Sequence, residues 1–292
     1  MEGKILRKES LILKVNLFYM AVIIWSIIVQ FLPIPSNAYQ FIAFLIPIGI
    51  YLFIHKDYGD RILKPKILNL RSTIIIFIIW FFSLPIMVTI VDIYTGLFGD
   101  KLANIIADNP YESFLESLVF SAITPALLEE VLMRGIILDG YRNKSYFVAA
   151  LINGFMFGML HLNFFQFVYT FIAGFIASYL VFATNSIFSS IIFHFINNGF
   201  PIMLKYLYTP SPDTGYGTSP SFIGSFLQVV FSIIALFLLI RLLARINGIN
   251  LRRYRYTSDE KIFNWPLVIS TILFILFSIL LVTLISIIET PI

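Results

Sequence analysis

Long apolar stretches, broken at short intervals by polar and charged clusters, set the pattern of this chain. Each comes near the ~20 residues that an α-helix needs to cross the hydrocarbon core of a bilayer. Nine helices are predicted: Leu13–Phe31, Ala38–Ile54, Thr73–Val91, Ser113–Leu138, Tyr146–Leu162, Phe164–Ala183, Ile187–Leu207, Phe222–Ala244 and Pro266–Ile288. Inside lipid the backbone has no water to bond, so an all-α polytopic transmembrane bundle is the expected fold. The first stretch follows Lys4, Arg7 and Lys8 as a signal peptide would. Its apolar run is longer than a signal h-region, so it reads as a retained helix. In the fourth, Pro125 is expected to kink the helix one turn before a pair of glutamates. No internal repeat or low-complexity segment is present, and residues 1–292 read as a single integral membrane domain.

Composition sharpens this picture. The chain is 59% hydrophobic and 12% charged, whereas a soluble domain carries about 25% charged residues. With no cysteine, disulfides, thiolate metal sites and cysteine nucleophiles are excluded. No nucleic-acid partner is expected; the partners implied are the lipid bilayer and a membrane-associated protein or peptide.

The placement of charge predicts an orientation. Of the 20 Lys and Arg, only Lys101 and Lys205 fall in loops on one side, and Arg134 lies within a span. All the others share the opposite side, in the N-terminal segment and in the loops around residues 56–71, 142–144 and 241–261. Basic loops stay in the cytoplasm. The expected topology is a cytoplasmic N-terminus, nine crossings and an external C-terminus, with a prokaryotic plasma membrane as the setting.

Several features have plain structural readings. The Pro-, Ser- and Gly-rich loop 208–221 reads as a connector, and the basic run at 251–261 as a cytoplasmic anchor. His55 and Trp265 sit where interfacial residues belong. Gly154 and Gly158 form a small-residue pair suited to close helix contact.

The polar residues inside the spans are harder to place. An ionisable group at the bilayer centre costs about 2.5–3.5 kcal/mol on insertion scales, so such groups face one another or a wet cavity. Here the fourth span carries Glu129, Glu130 and Arg134, the fifth His161, and the seventh His194, Asn197 and Asn198. At about 1.5 Å per residue, Glu130 lies ~18 Å from Arg142, His161 ~24 Å from Ser145, and His194 and Asn198 ~12 and ~18 Å from Ser186. With tilt, all three spans can bring these groups to a common level. Glu130 and Arg134 stand at i and i+4, in the favourable order for a pair. Glu129 is turned about 100° away with no cation at helical spacing, which leaves it free to face the histidines. His194 and Asn198 share a helix face, and Asn197 points elsewhere as a packing or hydrogen-bonding residue. Any one of these groups is as readily a structural clamp as a functional one. Together on three helices they predict one polar site.

A carboxylate beside an imidazole is suited to taking a proton from water. A second imidazole and an amide can donate to the oxyanion of a tetrahedral intermediate. Two histidines and a glutamate could equally ligate zinc, with Glu129, His161 and His194 as the set. The zinc-protease helix HExxH is absent. A proton-coupled transporter could use the same groups as a relay, but would be expected to show paired broken helices in repeated halves.

In order along the chain, "EEVLMR", "FGMLH" and "HFINN" resemble the three motifs of the CPBP family, the CAAX-protease and bacteriocin-processing intramembrane endopeptidases. The resemblance covers residues 112–200, and no motif position departs from the pattern. It implies an intramembrane endopeptidase in which Glu129 and His161 activate water and His194 and Asn198 form the oxyanion hole. Glu130 and Arg134 would support them. The resemblance favours metal-free chemistry, with no cofactor, over zinc. A non-catalytic scaffold or immunity protein of the same fold is the other class it allows.

Overall fold

The computed structural model describes residues 11–108, 110–207, 222–251 and 258–288. The connector 208–221, and Lys4, Arg7, Lys8, Arg252, Arg253 and Arg255 of the basic segments, lie outside the described residues. Those described form helices and no strand. The main ones are α1 (Leu11–Gln30), α2 (Ser36–Ile54), α3 (Leu70–Phe98), α4 (Lys101–Ala107) and α5 (residues 114–140), with short turns of helix at Lys56–Tyr58 and Gly59–Leu63. Beyond them come α6 (Tyr146–Leu160), α7 (Phe164–Thr184), α8 (Phe188–Leu207), α9 (Phe222–Ile246) and α10 (Trp265–Ile288). Six of these, α1, α2, α3, α7, α9 and α10, are long and apolar enough to cross a membrane by length and composition. The helix α6 is apolar but shorter, and α5 and α8 carry the polar groups.

Local chemistry sets the ends. Asn69, Ser113, Ser145 and Asn163 each cap a helix by accepting from the backbone N–H three residues on, which satisfies a donor the helix cannot bond itself. Gly99 closes α3 at φ +80°, a conformation that glycine adopts without strain. That stop lies seven residues past the predicted one, because Asp92, Thr95 and Gly96 continue the helix beyond the apolar run. The helix α6 stops at Leu160 and not at Leu162, since Leu162 turns into the left-handed region at φ +55°. His161 therefore sits at the helix end, on the turn into α7.

Two apolar cores hold the bundle. One gathers residues of α1, α2, α5, α6 and α10, the other residues of α3, α7, α8 and α9, with α7 contributing to both. A close contact joins α6 to α7. A Cβ on Gly154 would come within 2.6 Å of the Phe171 carbonyl oxygen, and one on Gly158 within 2.7 Å of that of Phe167. The glycine pair is thus a close backbone approach, as its spacing predicts.

Three wide, π-helical stretches interrupt the helices, at Phe41–Leu45 in α2 and at Leu118–Ile123 and Val131–Ile137 in α5. Each has a carbonyl that accepts from a neighbouring helix. Trp25 donates to Ile42 at 2.8 Å, Asn198 to Ser121 at 3.2 Å, and Asn153 to Met133 at 2.7 Å. Ser178 then donates to Asn153 at 3.0 Å, so a fully buried polar chain ties α5, α6 and α7 together. Satisfied in this way, irregular backbone is stable at membrane depth, and two of the three stretches flank the glutamate pair.

Candidate active site

The helix α5 carries its glutamates between the two wide stretches. Glu130 and Arg134 are both 1% exposed, and the Arg134 guanidinium donates to Glu130 Oε1 at 2.9 Å. The i, i+4 pair that the spacing predicts is therefore formed. Arg134 also lies over the Phe157 ring, 4.3 Å from its centroid, a cation–π contact that helps hold a buried charge.

The same carboxylate oxygen takes a second partner. His194 Nδ1 stands 2.8 Å from Glu130 Oε1. Glu130 thus joins α5 to α8, where the sequence had paired it with Arg134 alone. One carboxylate oxygen shared by a guanidinium and an imidazole is a tightly specified charge cluster, and breaking it leaves a buried charge unpaired.

Glu129 is differently placed. It is 7% exposed and makes no salt bridge among the described residues. Its Oε1 accepts from Gln40 Nε2 at 3.4 Å, while Oε2 is buried with no hydrogen-bond partner in the protein. The Gln40 carbonyl oxygen is likewise buried and unbonded. Both residues line the same cavity. Gln40 comes from the wide stretch region of α2, far outside the three motifs. No pattern in the sequence marks it, because one glutamine in an apolar span reads as an ordinary interfacial residue.

His161 Nδ1 bonds the Phe157 carbonyl at 2.9 Å. A carbonyl only accepts, so Nδ1 carries the proton and Nε2 of the neutral ring is a lone pair. Asn198 Nδ2 donates to the Ser121 carbonyl at 3.2 Å, and Asn197 Nδ2 donates to Asn198 Oδ1 at 3.4 Å. Asn197 is thus the hydrogen-bonding residue that the helix spacing suggests, and it orients its neighbour.

Two adjoining cavities meet here. The first, about 620 Å³, is lined by Glu130, Arg134, His194 and Asn197 among others. The second, about 680 Å³, is lined by Tyr39, Gln40 and Glu129. Both are lined by Ser121, His161, Gln166 and Asn198, so the two glutamates face different chambers and His161 and Asn198 stand where these join. The short helix α4, which the sequence does not foretell, lines both through Ile106.

The candidate zinc set does not assemble. Among the described residues no three His, Asp or Glu side chains lie together closely enough to hold a metal ion, and His194 Nδ1 is turned to Glu130. As placed here, Glu129, His161 and His194 are not gathered into one ligand set.

Pro125 also bears on the placement of Asn198. It lacks the N–H that would bond the carbonyl four residues earlier, and that carbonyl, of Ser121, is the one that accepts from Asn198. Pro125→Ala supplies a competing donor. Turnover should fall about tenfold through misplacement of Asn198, while the melting temperature in detergent holds or rises. An unaltered kcat would show that Asn198 does not depend on this carbonyl.

No curated protein and no solved structure matches this chain. Residues 111–200 match the family model described as Type II CAAX prenyl endopeptidase Rce1-like. They hold α5, α6, α7 and most of α8, and with them every motif residue of the site. The segment that builds the candidate active site is similar to the Rce1-like family of type II CAAX prenyl endopeptidases.

Proposed function

We propose that this integral membrane protein, crossing the bilayer nine times, hydrolyses peptide bonds at the junction of the two cavities without a metal or other cofactor. The observation that carries this reading is the unbonded, buried Oε2 of Glu129 beside Gln40, in a chamber shared with His161 and Asn198.

Glu129 accepts one hydrogen of the attacking water as a proton, and the lone pair of His161 Nε2 accepts a hydrogen bond from its other O–H. Oxygen attacks the scissile carbonyl carbon, and the carbonyl π electrons move to its oxygen. The second amide hydrogen of Asn198 and an N–H of His194 receive that oxyanion. His194 can bond Glu130 through Nδ1 and donate from Nε2 only as an imidazolium, and Glu130 supplies its counter-charge. Collapse of the intermediate expels the amine, which takes its proton from Glu129. The carboxylate is then restored. Gln40 is a positioning residue in this scheme. Its Nε2 faces the Glu129 carboxylate, the orientation that an ionised glutamate favours.

The test is cleavage of a quenched-fluorescence peptide library by the purified protein in detergent. Turnover should survive stringent chelation undiminished. Activity lost to chelator and restored by zinc alone would overturn the metal-free reading.

A further inference from the structure

The position of the cavities along the bundle says from which side a substrate must come. Their rims are built by one set of helix ends. Gln30 and Ser36 bracket the turn from α1 to α2, Asp108 and Pro110 lie between α4 and α5, and Gln166 opens α7. Gln30, Ser36, Asp108 and Pro110 are exposed.

The basic loops occupy the other end. Arg61 and Arg142 both bond Asp139, at 3.2 and 3.0 Å. The Lys64 carbonyl accepts from Ile187 N at 3.2 Å, and Lys66 Nζ donates to Thr184 at 3.4 Å. Lys144 Nζ donates to Glu260 at 2.8 Å. The loops before α3, α6, α8 and α10 are therefore one physical face. The helix α6 measures the separation: Ser145 precedes it at the basic face and His161 follows it at the cavities, about 24 Å away at the α-helical rise.

Between site and basic face the bundle is sealed. Leu132, Met133, Ile136 and Ile137, on α5 below the glutamates, and Tyr141 just after it are all 0% exposed. A third cavity, lined by Arg61, Lys66, Asp139 and Arg142 at the basic face, shares no lining residue with the other two. Basic loops lie in the cytoplasm.

We infer that the active-site cavity opens only to the external face, so that its substrates are peptide segments presented from outside the cytoplasm. Cytoplasmic C-termini of the prenylated CAAX kind lie on the wrong side of the sealed core. The inference rests on the protease reading for the word substrate, but the sidedness of the cavity does not.

The lack of cysteine makes the test direct. Single-cysteine variants Ser36→Cys and Glu112→Cys at the rim, Ile106→Cys in the cavity wall, and Asp57→Cys at the basic face are expressed as full chains in cells. Each is treated with a membrane-impermeant maleimide before and after permeabilisation. The first three should label in intact cells, and Asp57→Cys only after permeabilisation. Labelling of Asp57→Cys in intact cells, or of Ile106→Cys only after permeabilisation, would overturn external access. A second arm adds the peptide library outside proteoliposomes whose orientation is read from the same cysteines. Cleavage should track the fraction with the rim outward. Cleavage that tracks the opposite fraction would overturn the inference. Cleavage by neither orientation, with the labelling pattern intact, would sink the protease reading and leave the sidedness standing.

Discussion

Glu129→Gln should abolish turnover while leaving the fold untouched. Glutamine keeps the size and polarity of the side chain but cannot take a proton from water. A carboxylate acting as general base contributes about 10²–10⁴-fold, so the expected loss is at least a hundredfold, about 2.7 kcal/mol of transition-state stabilisation. Stability has little reason to change. The glutamate makes no salt bridge among the described residues, its one hydrogen bond to Gln40 is long at 3.4 Å, and its other oxygen is unbonded. Removing this charge breaks no ion pair among the described residues. The measurement is single-turnover cleavage beside the melting temperature in detergent, with competition between labelled and unlabelled peptide to report binding. A variant that keeps a tenth of wild-type turnover would exclude Glu129 as the base. One that melts several degrees lower would assign it a structural role.

The contrast between the two glutamates shows how far a sequence can be read. Membrane helices stand out because lipid tolerates so few charges, and the same rule isolates Glu129, Glu130, Arg134, His161 and His194 as residues needing an explanation. The Glu130–Arg134 pair is legible because it is local: four residues of helix fix it, and it forms at 2.9 Å. The bond from His194 to Glu130 spans 64 residues. It depends on how α5 and α8 cross, which no periodicity encodes. Gln40 is hidden for the same reason, reaching Glu129 across 89 residues from another helix. The wide stretches are a further obstacle. Arg134 lies inside one of them, and each extra residue in a turn rotates everything after it by about 100° relative to an ideal α-helix. Face assignments carried through α5 from ideal geometry therefore drift. The end of α6 is lost in another way, since an apolar run gives no sign that Leu162 leaves the helix with a positive φ and places His161 on a turn.

Glu130→Gln should fail in the opposite manner, through the fold first and activity with it. This carboxylate balances a guanidinium with no exposed side-chain surface and is the hydrogen-bond partner of His194 Nδ1. Loss of one member of a buried pair typically costs about 3–5 kcal/mol, because the survivor is left charged in a medium that does not solvate it. Lower yield and a clear fall in melting temperature are expected. The residual activity should be small, since His194 loses the group that orients it. Instability of this kind has a specific remedy. In Glu130→Gln/Arg134→Met no unpaired guanidinium remains, and the methionine can rest on the Phe157 face that Arg134 now covers, a contact favourable for sulfur. The double variant should regain a substantial part of the lost melting temperature while staying inactive, because His194 still lacks its counter-charge. Recovery of stability without recovery of turnover separates the two duties of Glu130, holding Arg134 in the core and holding His194 at the site. If the double variant melts no higher than Glu130→Gln alone, the cost lies in the bond to His194 and not in the stranded arginine. Equal stability of Glu130→Gln and wild type would mean that the pair is not the clamp its burial implies.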